Sequence, residues 1–176
     1  MKKRRFYLLS VIYIIITVLN FRLNILNDNS NILSALSLEQ LSLFSDNKAF
    51  VFAFSILVQL VIVITLVFIE SIVICVLRSK IGKNKLRFES AQFSVLAGNI
   101  AVTVYNMIFL LMFHFNSISA LKSFNLLPLG TALKTLVIYK LLTKECPEST
   151  LRTFFKEMII FFILEYAYSV IGYFII

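Results

Sequence analysis

Five apolar runs separated by charged segments set the pattern of this chain. The longest, residues 49–77, reads AFVFAFSILVQLVIVITLVFIESIVICVL and holds one charged side chain, Glu70. A run of 18 or more mostly apolar residues predicts a membrane-spanning helix, because about 20 residues at ~1.5 Å rise cross the hydrocarbon core. This run passes directly into a basic segment, RSKIGKNKLRF. The remaining runs lie at about residues 6–21, 91–115, 120–142 and 158–176. The expected fold is therefore all-α, a single integral domain over residues 1–176 with about five transmembrane helices.

Charge orients that bundle. Arg78, Lys80, Lys83, Lys85 and Arg87 fall in the loop 78–90 against Glu89 alone. Short loops rich in Lys and Arg stay in the cytoplasm, so this topogenic basic loop marks the inner side. Lys2, Lys3, Arg4 and Arg5 precede the first run, which reads as an uncleaved signal anchor because no small-x-small cleavage site follows. A second charged loop, 143–157, carries Lys144, Arg152 and Lys156 with Glu145, Glu148 and Glu157. With Lys140, the inner side collects 13 of 17 cations, while Arg22, Lys48 and Lys122 lie outside. The N-terminus is expected in the cytoplasm and the C-terminus outside. The polar interval 22–48 reads either as a connector or as a short surface helix over 31–44, with Leu33, Leu36, Leu41 and Phe44 at helical spacing.

Charged and amide side chains inside the runs demand a partner, since a charge in hydrocarbon costs a few kcal/mol. Counting inward from the inner ends, Glu70, Asn99, Lys134 and Glu165 are each seven or eight residues deep. At ~1.5 Å per residue all four sit ~10–12 Å from the inner edge. That shared level predicts one intramembrane polar cluster, in which Lys134 pairs with Glu70 or Glu165 and Asn99 completes the hydrogen bonds. One carboxylate is then left over. The cluster reads as satisfied packing, as a path for ions or substrate, or as a contact to another subunit.

Composition narrows the function classes. The chain has 176 residues, 60% hydrophobic, with 18 Phe, 7 Tyr and no Trp, and a mean hydropathy of +0.92. Soluble domains are nearer 45–50% apolar. The formal charge of +8 flanks apolar runs instead of forming a face, so nucleic acid is not an expected partner. Low Gly and Pro with abundant Ile, Asn, Lys and Phe suit an AT-rich bacterial genome. Cys75 and Cys146 have no CxxC spacing, and His114 has no second ligand nearby. No metal or cofactor is expected. HExxH, GxSxG, CxxC and a phosphate-loop spacing are all missing, so no catalytic residue is assigned. Pro128 and Gly130 in LLPLG read as a kinked or capped start of the fourth helix, or as a break within it. Small residues for tight self-packing look scarce.

Over residues 49–176 the chain resembles the Yip family of small five-span membrane proteins. The residues that carry the resemblance are the basic turn 78–88 with Gly82, the Phe88 and Phe93 that follow, and the charged turn 143–157 before the last span. The resemblance implies a non-enzymatic helper that binds other membrane proteins, in bacteria often an ABC-type exporter or an antimicrobial-peptide defence system. The expected role is an accessory or interaction protein of the bacterial cytoplasmic membrane, assembled in the lipid bilayer with a larger integral membrane protein of a transport, export or immunity complex. The alternative is a small oligomeric transporter or channel that uses the Glu70, Asn99, Lys134, Glu165 layer.

Overall fold

A computed structural model describes residues 4, 6–20, 48–82, 85–113, 127–145 and 150–175. These residues form five helices and no strand: α1 (Phe6–Asn20), α2 (Lys48–Lys80), α3 (Phe88–Phe113), α4 (Leu129–Glu145) and α5 (Leu151–Ile175). An uninterrupted apolar run closes all its backbone hydrogen bonds within one segment only as a helix. Two of the helices contain stretches long and apolar enough to cross a membrane, Ile56–Lys80 and Phe88–Met112, with mean hydropathies of 3.1 and 1.9. This fits a membrane protein. Helix α5 is 25 residues long, but it carries Arg152, Lys156, Glu157 and Glu165. Helix α4 has only 17 residues.

Helix ends are set by local hydrogen bonds, and they shift the expected boundaries. Thr150 caps α5: the Thr153 amide donates to Thr150 Oγ1 at 3.4 Å, and the Phe154 amide to the Thr150 carbonyl at 3.2 Å. The helix therefore starts at Leu151, seven residues before the expected 158, and the charged stretch 151–157 is helical. A run of charges resembles a loop in sequence, yet those charges lie on helix faces here. Helix α3 likewise starts at Phe88, with Arg87 accepting from the amides of Ser90 and Ala91. Arg78 and Lys80 belong to α2, so the non-helical part of the basic loop begins at Ile81. Pro128 lies just before α4, and its carbonyl accepts from the Ala132 amide at 2.8 Å. The described part of the expected span 120–142 is thus a helix displaced to Leu129–Glu145. The expected surface helix over 31–44 lies outside the described residues, as do Lys83, His114 and Cys146.

The helices alternate in direction. Arg78 meets Glu157, and Glu70 shares a partner with Glu165, so α2 and α5 are antiparallel. Gly98 lies against Lys134 and Ile138, and Tyr139 against Phe154 and Phe161, which sets α3 against α4 and α4 against α5. The most extensive interface is α3 on α4, followed by α2 on α3, α4 on α5 and α2 on α5. The four helices close a ring, and α1 leans on it through Phe6, Leu9 and Tyr13.

Polarity is inverted relative to a water-soluble bundle. Glu70, Arg78, Lys134 and Glu157 are buried. Large apolar side chains such as Phe54, Leu57, Val61, Ile64, Phe68 and Ile72 point outward from α2. The buried apolar core is compact: Ile74, Ala91, Val95, Ile138, Leu142 and Phe161. Contrary to the expected scarcity of small residues, the helix crossings use several. Ser71, Ala91, Ser94 and Thr135 are almost fully buried. Three of their hydroxyls are satisfied by carbonyls one turn back, Ser71 on Val67, Ser94 on Ser90 and Thr135 on Thr131. Small side chains let helix backbones approach closely, which is how helices associate when the surroundings are as apolar as they are.

The Thr150 cap is open to a direct test. Thr150→Ala should destabilise the start of α5 by about 1 kcal/mol, and Thr150→Ser should not. Thermal unfolding of the detergent-purified chain reads the difference.

Candidate functional site

Four helices each contribute one side chain to a buried cluster. Glu70 comes from α2, Asn99 from α3, Lys134 from α4 and Glu165 from α5. Lys134 Nζ lies 2.8 Å from Glu70 Oε1 and 2.6 Å from Glu165 Oε2. Asn99 Nδ2 donates to Glu70 Oε2 at 3.3 Å. Tyr13 of α1 belongs to the buried core of the bundle. The structure thus brings together all four residues singled out by depth. It differs in one respect: no carboxylate is left over. Lys134 bridges both acids, because an ammonium has three protons and the two carboxylates approach it from neighbouring helices.

The position of Lys134 depends on the residue beside Asn99. A Cβ placed on Gly98 would come within 2.8 Å of Ile138 Cγ1 and 3.2 Å of Lys134 Cγ. Glycine at this crossing lets α4 approach α3 closely enough for the lysine stem to pass between them. Substitution there pushes the stem away from its acids.

A second polar layer lies towards the basic end, and sequence reasoning missed it. The charge pattern puts Arg78 in the topogenic loop and Glu157 at the end of the second charged loop. Both are buried, with side-chain exposures of 0% and 1%. Arg78 Nη1 donates to Glu157 Oε1 and Oε2, each at 3.0 Å. The guanidinium also sits 4.0 Å above the ring of Phe154, which supplies a face of negative potential. Tyr139 meets Phe154 edge-on at 6.4 Å and leans on Phe161 at 6.2 Å. Gly82 closes this layer. A Cβ there would come within 2.5 Å of Glu157 Oε1 and 2.8 Å of the Arg78 carbonyl oxygen.

The two layers are related by register. Glu70 and Arg78 are eight residues apart on α2, and Glu157 and Glu165 are eight apart on α5. On antiparallel helices these spacings match level for level, ~12 Å apart. That equal spacing was the sequence signal by which the Arg78–Glu157 pair could have been found. Ile74 and Phe161 lie midway between the layers on α2 and α5, and with Ala91, Val95, Ile138 and Leu142 they are the most buried apolar side chains described.

Chemically, both layers offer fixed charge more readily than a reactive group. Among the described residues no three His, Cys, Asp or Glu side chains gather as metal ligands. Of the remaining topogenic residues, Lys80, Lys85 and Arg87 are exposed.

These contacts predict an ordering of variants. Lys134→Ala leaves the buried Glu70 carboxylate facing the partly buried Glu165 and should cost about 3–5 kcal/mol. Either Glu70→Gln or Glu165→Gln alone should cost clearly less. Gly98→Ala, which overpacks the crossing, should cost about 1–3 kcal/mol. Thermal unfolding in detergent ranks them, and a Lys134→Ala chain as stable as its parent would contradict the assignment. Comparison with protein families, with curated proteins and with solved structures returns no match for this chain.

Proposed function

We propose that this chain is a multi-pass protein of a bacterial cytoplasmic membrane, with five spans, its N-terminus in the cytoplasm and its C-terminus outside. It acts there as a non-enzymatic accessory subunit of a larger transport, export or antimicrobial-peptide immunity complex. One observation carries the reading: the buried charges are paired with one another across helices while Ile, Leu, Val and Phe face outward. A surface of that kind suits lipid and the helices of another membrane protein. The Yip-like order of basic turn and charged turn points the same way, to a helper that works by binding other membrane proteins, an ABC-type exporter among them.

The test is isolation of the intact chain in mild detergent from the membranes of its native host. A larger integral membrane protein should co-purify at a fixed ratio. A chain recovered alone that moves solute when reconstituted would overturn the reading.

The charge count in the upper cluster favours a second reading, a small transporter or channel. Two carboxylates share a single ammonium there, so with every group ionised the cluster carries one excess negative charge. A cation in transit would balance it. Under this reading, Glu70→Gln and Glu165→Gln abolish flux into proteoliposomes while the protein still accumulates normally. Under the accessory reading neither substitution affects flux, since there is none to affect.

A further inference from the structure

The two sides of the Lys134 cluster are unlike. Towards the basic end, the residues four positions from Glu70, Asn99, Lys134 and Glu165 are Ile74, Val95, Ile138 and Phe161. Residues four apart lie on one helix face. All four are apolar and at most 1% exposed, and the buried Arg78–Glu157 pair lies beyond Ile74 and Phe161 on the same two helices. Towards the opposite end, the same rows carry Thr103 of α3, Ser169 of α5 and, three positions from Lys134, Thr131 of α4. All three are half-buried. The hydroxyls of Thr103 and Ser169 donate to the carbonyls of Asn99 and Glu165, so their oxygens keep lone pairs for another donor. Only α2 stays apolar there, with Leu66 and Val67.

Helix lengths add to the asymmetry. Helix α4 begins at Leu129, five residues from Lys134, whereas α3 runs to Phe113 and α5 to Ile175. Five residues are ~8 Å of helix, so α4 starts well inside the depth that its neighbours span. Leu127 and Leu129 at that start are exposed. Non-helical backbone at membrane depth persists where it lines water or is covered by protein, and among the described residues these positions are uncovered. Leu110, further out on the Asn99 row, is buried, which directs an opening over the start of α4 and not along α3. The Glu165 side chain retains 17% exposure, against 0% and 1% for Arg78 and Glu157.

We propose that the cluster is the floor of a water-filled opening that enters from the outer side over the start of α4 and admits a small monovalent cation. Thr131 and Ser169 line it, and the Glu70–Lys134–Glu165 group, with two carboxylates to one ammonium, draws the cation in. The layer of Ile74, Val95, Ile138 and Phe161 seals it from the cytoplasm, and Arg78–Glu157 fastens the helices beneath. The inference rests on the membrane topology proposed above and deepens the second reading, since a site open to one side only is loaded from that side.

The experiment is cysteine accessibility in the full chain carrying C75A and C146A. Thr131→Cys, Ser169→Cys, Val95→Cys and Leu136→Cys are introduced singly, and right-side-out membrane vesicles are treated with a cationic, membrane-impermeant methanethiosulfonate. Thr131→Cys and Ser169→Cys should react at least about tenfold faster than Val95→Cys in the sealed layer and Leu136→Cys on the outward apolar face, because the thiolate is the reacting form and apolar surroundings suppress it. Thr103→Cys serves if either of the first two fails to accumulate. At Thr131→Cys the cationic reagent should also outpace its anionic sulfonate counterpart. Glu165→Gln, or Glu70→Gln if that chain does not accumulate, should shrink the lead several-fold by removing the excess charge. Rates at Thr131→Cys and Ser169→Cys no faster than at Val95→Cys, or reaction only in inverted vesicles, overturn the proposal. So does a cationic lead that the Gln variants leave unchanged. Reaction from outside without solute flux in proteoliposomes sustains the opening and removes the transporter reading. Release of the parent chain from membranes by alkaline carbonate without detergent would overturn the membrane reading itself, a result distinct from a closed site.

Discussion

The bundle depends on a lysine held between two carboxylates. Lys134 is buried and 2.6–2.8 Å from both acids, so the two carboxylates are tolerable at this depth only while the lysine is in place. Removing water from an ion costs several kcal/mol, and that is recovered only through well-placed opposite charge and hydrogen bonds. Because the groups come from α2, α4 and α5, with Asn99 of α3 bonded to Glu70, satisfying them requires four helices to be correctly placed at once. The same register then brings Arg78 to Glu157. An eight-residue offset on α2 matches an eight-residue offset on α5, and antiparallel packing makes the two coincide.

Around these layers the helices are held by close approach. Ser71, Ala91, Ser94, Gly98 and Thr135 leave room for backbones to come together, and Ile74, Val95, Ile138, Leu142 and Phe161 fill what remains. Where the outer surface is apolar and its surroundings are apolar as well, burying more Leu or Ile yields little. Packing and buried polar contacts then decide the arrangement. The two glycines matter for the same reason. Gly98 admits the Lys134 stem, and Gly82 leaves space for the Arg78–Glu157 pair.

The functional readings divide over what the polar layers are for. The lower layer is balanced, one guanidinium to one carboxylate, and closed by Phe154 and Gly82. It behaves as a fastener at the basic end. The upper layer is unbalanced by one charge, which is the feature a transporter would use and a fastener would not require. The outward apolar faces of the helices are what the accessory reading would use. Both uses are compatible with a single fold, since one concerns the inside of the ring and the other its outside.

Much of this was legible from the chain itself. Apolar run length specified helices, and depth counted from the basic loops placed Glu70, Asn99, Lys134 and Glu165 at one level. Both follow from a constant rise per residue, a local property. The sequence did not reveal that Lys134 would take both acids, because depth says nothing about the angle at which neighbouring helices present their side chains. Nor did it separate Arg78 and Glu157 from the charged loops around them. A cation near a helix end looks the same whether it faces solvent or a buried carboxylate. Only the packing of α5 against α2, begun seven residues early by the Thr150 cap, decided that Arg78 turns inward while Lys80 stays exposed.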